Sequence, residues 1–169
     1  MRKTYYILLS LLLLGFSDIY ACTCQGESTV KGAIKNSDFV IVGEIISRAF
    51  VDIPDSALIK QNFKDTLYHK QYPYVHRISK YSIKIEKIYK GKTTSDTLDI
   101  YTGNGGGDCG YRFKIGDRYI VYGNKETYFG MTNNDCEYPK GKNCIWTNIC
   151  MRTTNYYQSE IDEIEKIIK

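Results

Sequence analysis

Apolar positions along this chain fall into one dense block near the start and several patterned runs after it. The block spans Tyr6 to Phe16, behind Arg2 and Lys3 and ahead of Ile19, Tyr20 and Ala21. A basic start, a short apolar stretch and a small residue at a cut site form the layout of a cleaved export signal, so residues 1–21 read as a signal peptide. Next, Val30, Ala33 and Ile34 share one helical face within Ser28 to Asn36, with Ser28 placed to cap the helix. Asp38 to Arg48 is rich in Val and Ile and predicts a buried strand. Residues 49–73 carry mixed charge, Pro54 and Pro73, and no period, which predicts a long exposed hairpin or loop. Alternation returns from Tyr74 to Tyr89, where Tyr81, Ile83 and Ile85 oppose Ser82, Lys84 and Glu86. Lys90, Gly91 and Lys92 end that strand, and Asp96 to Tyr101 supplies another. Tyr111, Phe113 and the run Asp117 to Tyr122 are strand-like as well. Ser159 to Lys169 places Ile161, Ile164 and Ile168 at helical spacing behind an acidic first turn, predicting an amphipathic terminal helix.

Helix, several short strands, then helix is the order of a mainly β domain. A five-stranded Greek-key barrel of the OB type with flanking helices fits it, and order alone also permits a sandwich. Cutting after Ala21 leaves 148 of the 169 residues, enough for one domain, residues 22–169. The leader takes Arg2, Lys3 and Asp18 with it, so 23 basic and 19 acidic residues become 21 and 18, a net +3. So small and mixed a charge gives no warrant for a nucleic-acid partner or an acidic membrane. No second apolar run approaches the ~20 residues that span a bilayer.

All six cysteines, Cys22, Cys24, Cys109, Cys136, Cys144 and Cys150, lie after the cut. An even number in an exported chain points to disulfides, with many pairings open. Structural zinc is the weaker reading, because Cys-x-Cys is not the spacing of a zinc site. His69 and His76 lie in a charged, Tyr-rich stretch far from any cysteine and read as surface residues. Gly103 to Asp108 (GNGGGD) invites a phosphate-cradle reading, but no Lys-Ser/Thr follows and the next segment is not helical. It is better read as a turn ending at a tethered Cys109. Residues 133–144 form a small polar loop around Cys136 and Cys144. No nucleophile–base pair stands out, so the chain does not read as an enzyme.

Four segments together resemble a known family. Cys22-Thr23-Cys24, Asn36 to Glu44 (NSDFVIVGE), Cys109 to Gly116 (CGYRFKIG) before Tyr119 to Gly123 (YIVYG), and Cys150 to Thr153 (CMRT) are similar to the N-terminal domain of the tissue inhibitors of metalloproteinases, most of all to the shorter bacterial members of the netrin-like superfamily. The resemblance implies an OB barrel with both opening cysteines bridged back to it, Cys22 to Cys109 and Cys24 to Cys150, and leaves Cys136 and Cys144 to pair locally. The family's third cysteine, in the first helix, falls here near Ile34 and Lys35 and is absent.

It also implies a secreted, monomeric inhibitor of a zinc metalloprotease with no cofactor of its own, the zinc belonging to the target. After cleavage, the α-amine and carbonyl oxygen of Cys22 would close a chelate ring on that zinc, displacing the water from which the nucleophile is made. An α-amine with an unperturbed pKa of about 7.7–8.0 loses its proton cheaply near neutrality, where a lysine at about 10.4 does not. Thr23 would enter the first primed-side pocket, Cys24 would help hold the terminus, and Gly107 and Asp108 would lie along the same protease-facing edge. The competing reading is a netrin-like module that binds protein or glycan without touching zinc. It includes a surface lipoprotein, because Ile19 to Cys22 also resembles a loose lipobox. Acylated at Cys22, the chain would keep neither the free amine nor an even number of cysteines.

Overall fold

The computed structural model describes residues 22, 24, 29–54, 75–105, 107–129, 138–141 and 143–169. The leader, Thr23, Ser28, His69, Cys136 and most of the 49–73 insertion lie outside these residues.

Helix α1 spans Val30–Asn36 and is capped by Thr29, whose Oγ1 accepts the Gly32 N–H at 3.1 Å. The cap therefore falls one residue later than Ser28. At the other end Lys90 Nζ donates to the carbonyls of Ile34 at 2.7 Å and Lys35 at 3.3 Å, putting a cation on the negative end of the helix. Strands β1 (Phe39–Pro54) and β2 (Val75–Lys90) then form a long antiparallel ribbon. The first arm of that ribbon takes in residues 49–54, which are strand and mostly exposed, with Ile53 alone among them buried. Strands β3 (Thr97–Thr102), β4 (Arg118–Gly123), β5 (Cys144–Trp146) and β6 (Thr154–Asn155) follow, with helix α2 over Gln158–Ile168.

The six strands lie in the order β5-β3-β2-β1-β4-β6, antiparallel except for β3 beside β5. Register shifts in β1 at Val40/Ile41, Val42/Gly43 and Ile45/Ser47 bend the sheet. Gly43 sits at one of them, where a Cβ would overlap the Lys84 carbonyl oxygen. The sheet coils until Asn124, just past β4, meets Trp146 of β5 through reciprocal N–H···O bonds of 2.9 and 2.7 Å. The mainly β, OB-like architecture with flanking helices is thus as expected. Among the described residues, however, the sheet has six strands and is joined by this single bridge instead of closing as a five-stranded barrel.

Coiling explains the unbroken apolar run at the start of β1. Ile41 and Ile45 face inward with Ile83, Ile100, Phe113 and Val121, while Val40 and Val42 face outward under both helices with Ile120 and Tyr122. Ile161 and Ile164 seat α2 on that outer face; Ile168, expected beside them, is exposed. A third cluster sits where the ribbon leaves the sheet, around Trp146, Tyr101, Ile53 and Ile78. His76 belongs to its margin and is not a free surface residue. Its Nδ1 lies 2.9 Å from the Tyr138 hydroxyl, and its ring stands edge-on to Phe129 at 4.5 Å. Among the described residues no helix is long and apolar enough to cross a membrane.

Candidate functional site

Residues 22 and 24 are held against the body of the domain by two bonds reaching far along the chain. Cys22 is joined to Cys109 with the Cα atoms 5.5 Å apart, and Cys24 to Cys150 with them 5.2 Å apart. Both pairings are those the resemblance implied. Cys144, on the other hand, carries a free buried thiol, held up in pKa by burial and then by Asp99. Its expected partner Cys136 lies outside the described residues, so the local bridge is not part of the structure described.

The loop carrying Cys109 is built around one carboxylate. Asp108 Oδ1 accepts the Gly105 and Gly110 N–H groups at 2.8 and 3.1 Å, and its Oδ2 accepts that of Asn104 at 2.5 Å. The two ends of the loop touch so closely that a Cβ on Gly110 would overlap the Gly103 carbonyl. Cys109 itself adopts φ +58°, a left-handed conformation that costs a non-glycine residue about 1–2 kcal/mol. Tyr128 closes the loop from beneath. Its hydroxyl accepts the Gly103 N–H at 2.7 Å and donates to the Asp108 carbonyl at 3.3 Å. Burial pushes the Tyr128 phenol above its ordinary pKa, so it keeps the proton it donates. Arg112 covers the outer side, donating to the Asn104 and Gly105 carbonyls at 3.2 and 3.4 Å.

The loop carrying Cys150 runs between β5 and β6 and is pinned at both feet. Thr147 and Thr153, both buried, lie 2.7 Å apart through their hydroxyls, and each hydroxyl is also within hydrogen-bond reach of the Tyr122 carbonyl. Thr153 Oγ1 in turn accepts the Tyr122 N–H at 3.1 Å. At the tip, Asn148 Oδ1 accepts the Cys150 N–H at 2.9 Å, and the Asn148 carbonyl accepts the Met151 N–H at 3.2 Å. The two loops are bonded to each other, because Ile149 N–H donates to the Cys109 carbonyl at 3.0 Å. Residues 22 and 24 therefore stand on a ridge made of two braced loops, each tied to the core through its own hydrogen bonds.

Of the residues picked from sequence, Cys22, Cys24, Gly107 and Asp108 come together here. Cys22 Sγ is 3.7 Å from the Gly107 carbonyl oxygen. Gly107 is exposed, with nothing within 4 Å of where a Cβ would stand. Asp108 is beside them, but both its oxygens are already engaged in holding the loop. Thr23 lies outside the described residues. Sequence does not mark Tyr128 or the grip of Thr147 and Thr153 on Tyr122, which exist only through tertiary contact, while Asn148 acts locally on Cys150 two residues on. Among the described residues no group of three or more His, Cys, Asp or Glu is gathered as for a metal.

What sets this terminus apart from an ordinary one is its tethering, by one disulfide at Cys22 and another at Cys24. In the uncut chain the Cys22 nitrogen is an amide joined to Ala21, unable to bind a metal as a neutral donor. Cleavage would turn it into an amine beside its own carbonyl, on a support that has already given up its freedom. The model of the family described as tissue inhibitor of metalloproteinase matches residues 20–138, which take in Cys22 to Cys24 and the Cys109 loop but stop short of the Cys150 loop and α2. No curated protein matches the chain.

Proposed function

Because this chain belongs to the tissue inhibitor of metalloproteinase family, we propose that it is an exported inhibitor of a zinc metalloprotease, acting through the α-amine and carbonyl oxygen of Cys22. What carries this reading is the double tether of residues 22 and 24 to two loops that are bonded to each other. Termini are normally mobile, and a mobile ligand loses entropy when it binds. Here that loss is met during folding, so zinc binding keeps more of the energy of the new bonds. Thr23, between the tethered residues, enters the protease's primed-side pocket and sets selectivity by its short side chain. Gly107 flanks the ridge without a side chain to obstruct the approaching backbone.

The bond from Cys22 to Cys109 also bears on the lipoprotein reading. It occupies the sulfur that a thioether lipid would require, which favours a free, secreted chain. The inhibitor acts as a monomer, and the zinc it binds is the protease's own.

The test is binding to a zinc metalloprotease with its active site open and with it blocked by a tight zinc-directed small molecule. Competition between the two ligands is expected. Equal binding to open and blocked enzyme would exclude zinc chelation and favour a module that binds elsewhere.

A further inference from the structure

Glu160 is the most enclosed acid of the described ion pairs, its side chain only 10% exposed, and nothing in the chelation chemistry uses it. It stands in the first turn of α2 and takes a two-pronged bond from Arg152, Nε to Oε1 and Nη2 to Oε2, both at 2.7 Å. Tyr122 of β4 adds its hydroxyl to Oε1 at 2.7 Å. Arg152 follows Cys150 by two residues and has φ +60°, again a left-handed conformation in a non-glycine residue. Such a conformation persists where surrounding contacts hold it. Here the holding contact comes from a helix that Ile161 and Ile164 already seat on the core, with Lys87 and Tyr89 bonding Glu165 one turn further on.

We infer that Glu160 is a positioning residue for the inhibitory terminus, fixing through Arg152 the loop that carries Cys150 and hence Cys24, Ile149 and the Cys109 carbonyl. This rests on the proposed chelation by Cys22 for its effect on inhibition, but not for its effect on the ridge. Among the described residues, the helix bears on the terminus through the Glu160–Arg152 pair. It acts as a strut behind it, two residues beyond the Cys24–Cys150 bond. Because α2 is seated by its isoleucines, removing the carboxylate charge is expected to loosen the ridge and leave the rest of the domain folded. Both members of the pair lie beyond residues 20–138, which the family model matches.

The experiment is backbone amide exchange on the full processed chain, wild type against Glu160→Gln and Arg152→Lys, with inhibition of a susceptible zinc metalloprotease measured in parallel. Exchange at Ile149 and Cys150 is expected to rise about tenfold in Glu160→Gln, as local opening becomes easier, while Ile41 and Val121 in the core strands stay unchanged. Arg152→Lys, which keeps the charge but loses the fork, should fall between. Inhibition should weaken in the same order. Unchanged exchange on the ridge would overturn the inference, and so would an equal rise at ridge and core, which would make the pair a general stabiliser. Should inhibition by Glu160→Gln equal that of the wild type while the ridge loosens, the positioning role is overturned. Should the wild type itself not inhibit, the chelation reading fails, and the exchange data still decide whether Glu160 holds the ridge.

Discussion

Replacing Asp108 separates two roles that the sequence alone cannot distinguish, contact with the protease and support of the Cys109 loop. Asp108→Ala removes the acceptor for three backbone N–H groups, those of Asn104, Gly105 and Gly110. Gly110 is buried, so its N–H is left without water and costs about 1–3 kcal/mol. Asn104 and Gly105 are only half-buried, water can replace the carboxylate, and each loses about 0.5–1 kcal/mol net. The sum is about 2–5 kcal/mol, or roughly 7–14 °C in Tm at the middle of that range for a domain of this size. Asp108→Asn keeps one oxygen but turns an amide donor toward either Asn104 or the Gly105–Gly110 pair, so it should lose about half as much. Thermal unfolding of both variants with the disulfides intact, alongside inhibition, reads the outcome. Inhibition should fall together with stability. A variant within about 0.5 kcal/mol of wild type that no longer inhibits would refute the reasoning. It would place the carboxylate on the protease and not in the loop.

Three further outcomes follow from the same geometry. Replacing Cys24 and Cys150 by Ser opens a bond that spans 126 residues and is expected to cost about 3–5 kcal/mol by denaturant unfolding, with loss of inhibition. Tyr128→Phe removes the hydroxyl shared by Gly103 and Asp108, lowering stability by about 1 kcal/mol and loosening the Gly105 and Gly110 amides before those of the core strands. Acidification probes Glu160. Burial pushes this carboxyl up, but Arg152 and Tyr122 outweigh burial and hold it below its ordinary value of 4.5. A depressed pKa contributes stability that is complete above the unfolded value and is lost as pH falls through the folded one. The wild type should therefore lose stability below about pH 4.5 more steeply than Glu160→Gln, and parallel curves from pH 6 to pH 2 would contradict the pairing.

Strands β1 to β4 were legible because each carries enough β-branched and aromatic residues, in runs of six or more, to announce itself. Cys144–Trp146 and Thr154–Asn155 were not, since strands of three and two residues exist only through pairing with Asp99 to Tyr101 and with Tyr119 and Ile120. His76 read as a surface residue because its neighbours in sequence are charged, while the rings that cover it come from positions 129 and 138. The ridge was half legible. Its tethers followed from the family resemblance, but spacing says nothing of Asp108 as a loop cap or of Tyr128 beneath it. Nor does periodicity place Glu160 against Arg152: the helix pattern predicts which face of α2 is buried, not which loop its first turn will grip. The cap at Thr29 instead of Ser28 is the ordinary uncertainty of a helix end, where two adjacent hydroxyls compete for one role.

The claim at the centre of this account is that the free amine of Cys22 is the zinc ligand. Two chains with the same fold and disulfides, one beginning at Cys22 and one with a single alanine before it, test that claim most directly when titrated against the same zinc metalloprotease. The added residue turns the amine into an amide and moves the new amine out of the chelate ring, with the ridge unchanged. The account predicts inhibition by the first chain and none by the second, at identical thermal stability. Equal inhibition by both would contradict it.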